Sequence, residues 1–190
     1  MINKTVIIMM FLLVMSFISS AHPHVFIDVS VYAGISENKF NTLKIVWFFD
    51  DMFSVIFAEE YDKNQDGIYD TAEIEIINST VFAAMGDYNY YTNLWLNGNE
   101  YQFKPKMSID PKTEILILTF DVDLNINLKE EKQELKIRVF DDEFYHAIEY
   151  KNNAVKFTGV GKSRGSFTKA TAQHDLGYSL VPVIDLVVSF

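Results

Sequence analysis

Val25, Ile27, Val29 and Val31 fall on one side of a period-two pattern, with His24, Phe26, Asp28 and Ser30 on the other. Such alternation predicts a strand with one buried face. Leu43 to Phe49 is nearly continuous apolar chain and predicts a second, more fully buried strand. The pattern then changes period. Met52, Phe53, Ile56, Phe57 and Tyr61 recur at helical spacing, and Asp50 stands where a side chain can accept the free amide hydrogens of a first turn. A second helix is predicted from Thr71 to about Met85, with Ile74, Ile77, Val81 and Phe82 on one side.

Beyond Tyr90 the strand pattern returns. Asn97-Gly98, between Leu94/Leu96 and Tyr101/Phe103, predicts a tight hairpin because both turn residues tolerate positive φ. Ile115 to Val122, Leu135 to Phe140, Phe144 to Tyr150 and Val155 to Val160 predict further strands. Leu180 to Phe190, apolar except for Asp185 and Ser189, predicts a last core strand and is too short to span a bilayer. Many strands with the helices gathered into one early pair predict an α+β fold. The expected architecture is an antiparallel sheet or sandwich, with an EF-hand-like helix-loop-helix inserted at about residues 50–86.

The first 21 residues read differently. Lys4 precedes an uninterrupted apolar run from Val6 to Val14, and Ser19-Ser20-Ala21 supplies small residues before His22. That is the layout of a cleaved secretory signal. Residues 22–190 are then expected to form one domain in an exported, periplasmic protein. The chain has no cysteine, which removes disulfides, thiol nucleophiles and thiolate metal sites from consideration. Sixteen Phe and ten Tyr allow a substantial core. The net charge is −10, and the leader carries one Lys and no acid, so the remainder carries −11. This field repels phosphate backbones and concentrates cations, so nucleic acid is not an expected partner.

The densest chemical signal lies between the two helices. Asp62-Lys63-Asn64-Gln65-Asp66-Gly67-Ile68-Tyr69-Asp70-Thr71-Ala72-Glu73 matches the EF-hand calcium loop at every required position. Calcium takes about 6–8 oxygen ligands. Asp62, Asn64 and Asp66 offer side-chain oxygens, Ile68 a backbone carbonyl, Asp70 a direct or water-mediated contact, and Glu73 two closing oxygens. Gly67 occupies the sharp turn, where a side chain would be strained. A solvated acidic linker is the bland alternative, and it leaves the joint match unexplained. A lone loop of this type predicts a structural Ca2+ site. Asp121, Asp123, Asn125 and Asn127 alternate too, but Ile126 and Lys132 occupy the glycine and closing positions, so a solvated strand face is expected there.

Cleavage before His22 would place His22-Pro23-His24 at a new amino terminus. The α-amino group and the His22 imidazole can chelate one metal together. His24 lies on the same face of an extended segment, about 6.6 Å away between α-carbons. Nitrogen donors suit Zn2+, Ni2+ or Cu2+. Pro23 has no N–H to lose, which counts against the amide-nitrogen form of copper or nickel chelation. A frayed terminus, or His24 packed on the strand, is the competing expectation. His146 and His174 are further candidates that sequence alone cannot bring close.

Gly161-Lys162-Ser163 resembles the end of a phosphate-binding loop, but Lys156 stands where that motif needs glycine. No nucleophile elbow, zinc-protease helix or triad is legible, and the pairs Asp50/Asp51 and Asp141/Asp142 fit a helix cap and a turn. No enzymatic activity is expected.

His22-Pro23-His24-Val25 after a leader, Trp47-Phe48-Phe49-Asp50 leading to Phe53-Ser54, the Asp62–Glu73 loop, and Tyr91-Thr92 with Gly98 together resemble a known family. It is the periplasmic family of unknown function described as a periplasmic component of an uncharacterised ABC-type transport system. The resemblance covers most of the chain after the leader and is strongest up to about Phe103. Members are commonly encoded beside a permease of the nickel/cobalt-efflux type. The resemblance therefore implies a role in handling zinc, nickel or cobalt with an inner-membrane metal permease as partner. The expected function is a non-enzymatic metal-binding accessory protein with one structural calcium loop. The alternative is a calcium-stabilised structural or interaction module without a transition-metal role.

Overall fold

The computed structural model describes residues 24–36, 39–128, 132–160, 165–177 and 180–189. The leader, His22 and Gly161-Lys162-Ser163 lie outside the described residues. The chain folds as α+β, two five-stranded sheets with a helix-loop-helix inserted between the second and third strands. Strands β1 (Val25–Ile35) and β2 (Lys39–Phe49) form an antiparallel pair in which Val29 faces Trp47. Helix α1 (Asp51–Tyr61) and helix α2 (Thr71–Ile77) follow, α2 running on through a wide turn at Asn78–Phe82 to Ala83–Met85 and a tight turn at Gly86–Tyr91. The remaining strands are β3 (Thr92–Leu96), β4 (Asn99–Glu100), β5 (Lys106–Ile109), β6 (Ile117–Asn127), β7 (Glu134–Val139), β8 (His146–Thr158), β9 (Ser166–Asp175) and β10 (Leu180–Ser189). One sheet has the order β5-β6-β2-β1-β8, the other β4-β3-β7-β10-β9.

The predicted elements recur with four corrections. First, the pairing is not purely antiparallel, because β1 and β8 run parallel. Second, the two strands expected at Phe144–Tyr150 and Val155–Val160 are one strand, β8, with a shift of register opposite Val29/Val31 and Asn153 at positive φ. A bulge of this kind interrupts the alternation without ending the strand. Third, β5 and β9 were not expected. β5 is only four residues long and pairs with β6, while exposed residues of β9 such as Lys169 and Gln173 carry little apolar periodicity, with β10 its partner among the described residues.

The fourth correction concerns α1. Met52 and Ile56 are exposed, at 62% and 52%, whereas Ser54 is wholly buried. Phe53, Phe57 and Tyr61 do face the core. Ser54 earns its place through two bonds, its hydroxyl donating to the Asp50 carbonyl (2.7 Å) and accepting from the Leu116 amide (2.9 Å). Asp50 caps the helix as expected, accepting from Phe53 N (2.9 Å), and its second oxygen accepts from Phe26 N (2.8 Å). One side chain thus ties α1 to β1.

The wide turn in α2 has a local cause. Ser79 and Thr80 both donate their hydroxyls to the Ile76 carbonyl, at 3.0 and 2.7 Å, in competition with the helical ladder. Asn97 and Gly98 take φ of 51° and 80° in the expected hairpin. The face bearing Asp123, Asn125 and Asn127 is exposed on β6, as the alternation predicts.

A single hydrophobic cluster draws on both sheets and the helix pair, with Trp47, Phe40, Phe120, Leu94, Ile137 and Leu186 inside it. Burying a side chain of this size contributes about 1.5–3 kcal/mol. Among the described residues, no helix is long and apolar enough to cross a membrane.

Candidate metal centre

The 62–73 loop is closed by its own backbone. Asp62 ends α1 and accepts from Asp66 N (3.2 Å) and Gly67 N (3.0 Å). Asn64 accepts from Asp66 N (3.0 Å), and Asp66 accepts from Ile68 N (2.9 Å). Asp70 caps α2 through Ala72 N and Glu73 N, while Glu73 reaches back to Asp70 N (2.9 Å), completing a capping box. The other Glu73 oxygen accepts from Lys63 N (2.6 Å), which brings the loop's two ends together. Gly67 sits at φ 82° and Gln65 at 58°. A side chain at the glycine would meet ordinary space but a strained backbone.

A lone loop needs something in place of a second loop, and Asp110–Thr113 supplies it. Ile68 forms a bridge with Lys112, Tyr69 N donates to the Pro111 carbonyl (2.7 Å), and Thr113 N donates to the Gly67 carbonyl (3.2 Å). Tyr69 plugs the loop into the core with its ring edge-on to Phe57.

Asp62 and Glu73 are 6% and 5% exposed, and among the described residues no Lys, Arg or His side chain pairs with either. Buried carboxylates are costly without a counter-charge. Burial, reinforced by Asp62 and Glu73, pushes the Tyr69 hydroxyl up to about 12. That hydroxyl is buried with no hydrogen-bond partner among the described residues. Tyr69→Phe should therefore leave the fold intact and stabilise it by about 1 kcal/mol, since it removes an unsatisfied polar group. Urea denaturation measures this, and a clear loss of stability would show that the hydroxyl is paired.

The donor types on this loop, carboxylate, amide and carbonyl oxygens, are those a hard cation takes. Asp62, Asn64, Asp66, the Ile68 carbonyl, Asp70 and Glu73 are the residues that could hold one. As arranged, the side-chain oxygens of Asp62, Asn64, Asp66, Asp70 and Glu73 accept amide hydrogens, and among the described residues no group of three or more His, Cys, Asp or Glu is gathered as a metal cage.

The histidines do not converge. His22 lies outside the described residues, and His24 is exposed at the start of β1, its ring 5.4 Å from that of Tyr145. His146 pairs with Asp141 (Nδ1 to Oδ2, 2.6 Å), and the same oxygen accepts from His146 N (2.9 Å). His174 bonds Asp142 through Nε2 (2.8 Å) and Arg138 through Nδ1 (3.0 Å). A guanidinium only donates, so His174 Nδ1 accepts and Nε2–H donates to Asp142. Arg138 in turn is forked onto buried Asp185, at 2.6 and 2.9 Å. The turn expected at Asp141/Asp142 is present, but it also holds two histidines. Sequence offered no signal for that, because the partners stand on β7, β8, β9 and β10.

A family described as "Protein of unknown function (DUF1007)" matches residues 7–178. The chain belongs to this family. The match runs well past Phe103, up to which the sequence resemblance was strongest, and takes in β8 and β9. A Haemophilus influenzae protein described as "Uncharacterized protein" is 28% identical over 156 residues, covering 80% of this chain and 74% of that protein. Neither description names a ligand or a partner for DUF1007 proteins.

Proposed function

We propose that this protein is an exported, non-enzymatic accessory protein that binds divalent cations. In this reading, calcium occupies the Asp62–Glu73 loop as a structural ion, and the amino-terminal histidines present zinc, nickel or copper to an inner-membrane permease. The observation that carries it is the pair of buried carboxylates, Asp62 and Glu73, at the two ends of one loop with no cationic side chain paired to either among the described residues. Calcium supplies the missing charge there and draws the loop's oxygens inward. The helix pair it joins packs on the core through Phe57 and Ile77, so the ion's role is to hold that pair in place.

The transition-metal part rests on chemistry at the start of β1 and on the resemblance noted in the sequence. His24 is exposed and free of a carboxylate partner among the described residues, in contrast with His146 and His174. Protein released by native signal cleavage should bind zinc, nickel or copper at least roughly tenfold more tightly than His22→Ala/His24→Ala, the effect of losing chelating donors. Binding should weaken as pH falls through the histidine range, because a protonated imidazole or ammonium has no lone pair to give. Titration calorimetry with each metal tests this. Equal affinities in the two proteins would remove the amino-terminal site and leave the calcium loop standing.

A further inference from the structure

A second site is built between the helix pair and the first sheet. Trp47, Phe49, Phe53, Phe57, Met85 and Tyr91 are among the side chains enclosing a cavity of about 220 Å³, and its polar wall is His146. Ala84 and Tyr88 also line it, and both are exposed, so they mark its solvent side. An apolar cavity of about 150 Å³ already accommodates one benzene ring, so this one has room for a single substituted ring.

His146 makes the cavity more than a packing gap. Asp141 is 3% exposed and its Oδ2 lies 2.6 Å from Nδ1, so Nδ1 carries a proton and donates it to the carboxylate, which fixes the ring in place. Nε2 makes no hydrogen bond among the described residues. A neutral His146 offers a lone pair at Nε2, and a protonated one offers an N–H. A hydroxyl satisfies either form, since it both donates and accepts. Charge narrows the class further. The neighbouring cleft shares the Tyr88/Tyr91 wall and is lined by Asp87, Asp141, Asp142 and Glu143. Those carboxylates oppose an anionic ligand.

We propose that this cavity is a binding site for a small, neutral, single-ring aromatic alcohol, with its ring among Trp47, Phe53 and Met85 and its hydroxyl on His146 Nε2. This is independent of the calcium and transition-metal reading. The site is a stereochemically simple one: apolar walls supply the affinity, and the one polar atom supplies orientation.

The test is a titration of the full exported protein with p-cresol, toluene and 4-methylbenzoate, followed by NMR of backbone amides and by calorimetry. The result expected is saturable p-cresol binding with shifts centred on Ala84, Met85, Tyr91 and His146. Toluene should bind roughly tenfold more weakly, the value of one hydrogen bond to a sheltered acceptor, and 4-methylbenzoate more weakly still. Ala84→Leu places a larger side chain at the opening and should abolish binding while circular dichroism and melting stay unchanged. His146→Phe should equalise p-cresol and toluene. No saturable binding of p-cresol, shifts away from these residues, or full binding by Ala84→Leu would overturn the site. Equal affinity for toluene and p-cresol in the native protein would overturn the role of His146, and preferred binding of 4-methylbenzoate the neutral class.

Discussion

Saturating calcium should raise the melting temperature by about 3–10 °C. An ion that binds only the folded state stabilises it by RT ln(1 + [L]/Kd), which is about 2.7 kcal/mol at a hundredfold excess over Kd. Exported calcium modules bind with Kd of about 10⁻⁴–10⁻³ M, so 10 mM calcium gives roughly ten- to hundredfold excess. Each kcal/mol is worth about 2–4 °C in a chain of this size. Glu73→Gln should remove most of the gain. The substitution keeps one acceptor oxygen for either Lys63 N or Asp70 N, sets an NH2 group against the other, and withdraws one of the two buried negative charges. In calcium-free buffer the same variant should melt within a few degrees of the native protein, since neutralising a buried charge offsets the backbone hydrogen bond that the amide cannot accept. A gap between the two proteins that opens only when calcium is added is specific to an ion site. A calcium response of equal size in native and variant protein would sink the loop assignment, and magnesium is the control for general screening.

Arg138→Met should destabilise the protein by about 3–5 kcal/mol, the usual cost of stranding one half of a buried ion pair. Asp185 is 2% exposed and sits on β10, between β7 and β9. Losing the guanidinium leaves it with Lys136 Nζ at 3.9 Å as the nearest recorded cation and removes the bond to His174. The double variant Arg138→Met/Asp185→Leu should recover most of the loss, because two apolar side chains of similar volume replace the pair without an orphaned charge. Urea denaturation of the four proteins forms a double-mutant cycle with a coupling of several kcal/mol expected. Near-additive losses would mean that the pair is solvated in solution. The cycle also weighs the reach of the network, since Asp142→Asn alters only its exposed end and should cost much less.

Particular residues show what could be read in advance. The alternation in β1, the capping Asp50, the Asn97-Gly98 turn and the 62–73 loop are local devices. Each depends on residues within a few positions of one another, so the sequence displays them directly. The exposed face of β6 was legible for the same reason. Met52 and Ile56 were misassigned because helical periodicity ranks residues by hydropathy. The structure instead buries Ser54, whose hydroxyl serves Leu116 from 62 positions away. The continuous β8 was divided in two because a bulge and a polar Lys151-Asn152-Asn153 stretch look like a turn when pairing with β1 is unknown.

Sequence by itself determined the α+β class, the position of the helix-loop-helix and the acidic loop between its two helices. Tertiary structure alone decided that Asp110–Thr113 braces that loop, that β1 and β8 run parallel, and that Asp141 and Asp142 each hold a histidine. It also brought His146, Trp47 and the helix pair around one cavity. The division has one physical cause. Caps, turns and amphipathic faces arise from forces between chain neighbours, whereas ion pairs and cavities arise where strands far apart in sequence meet, and spacing along the chain carries no record of that meeting.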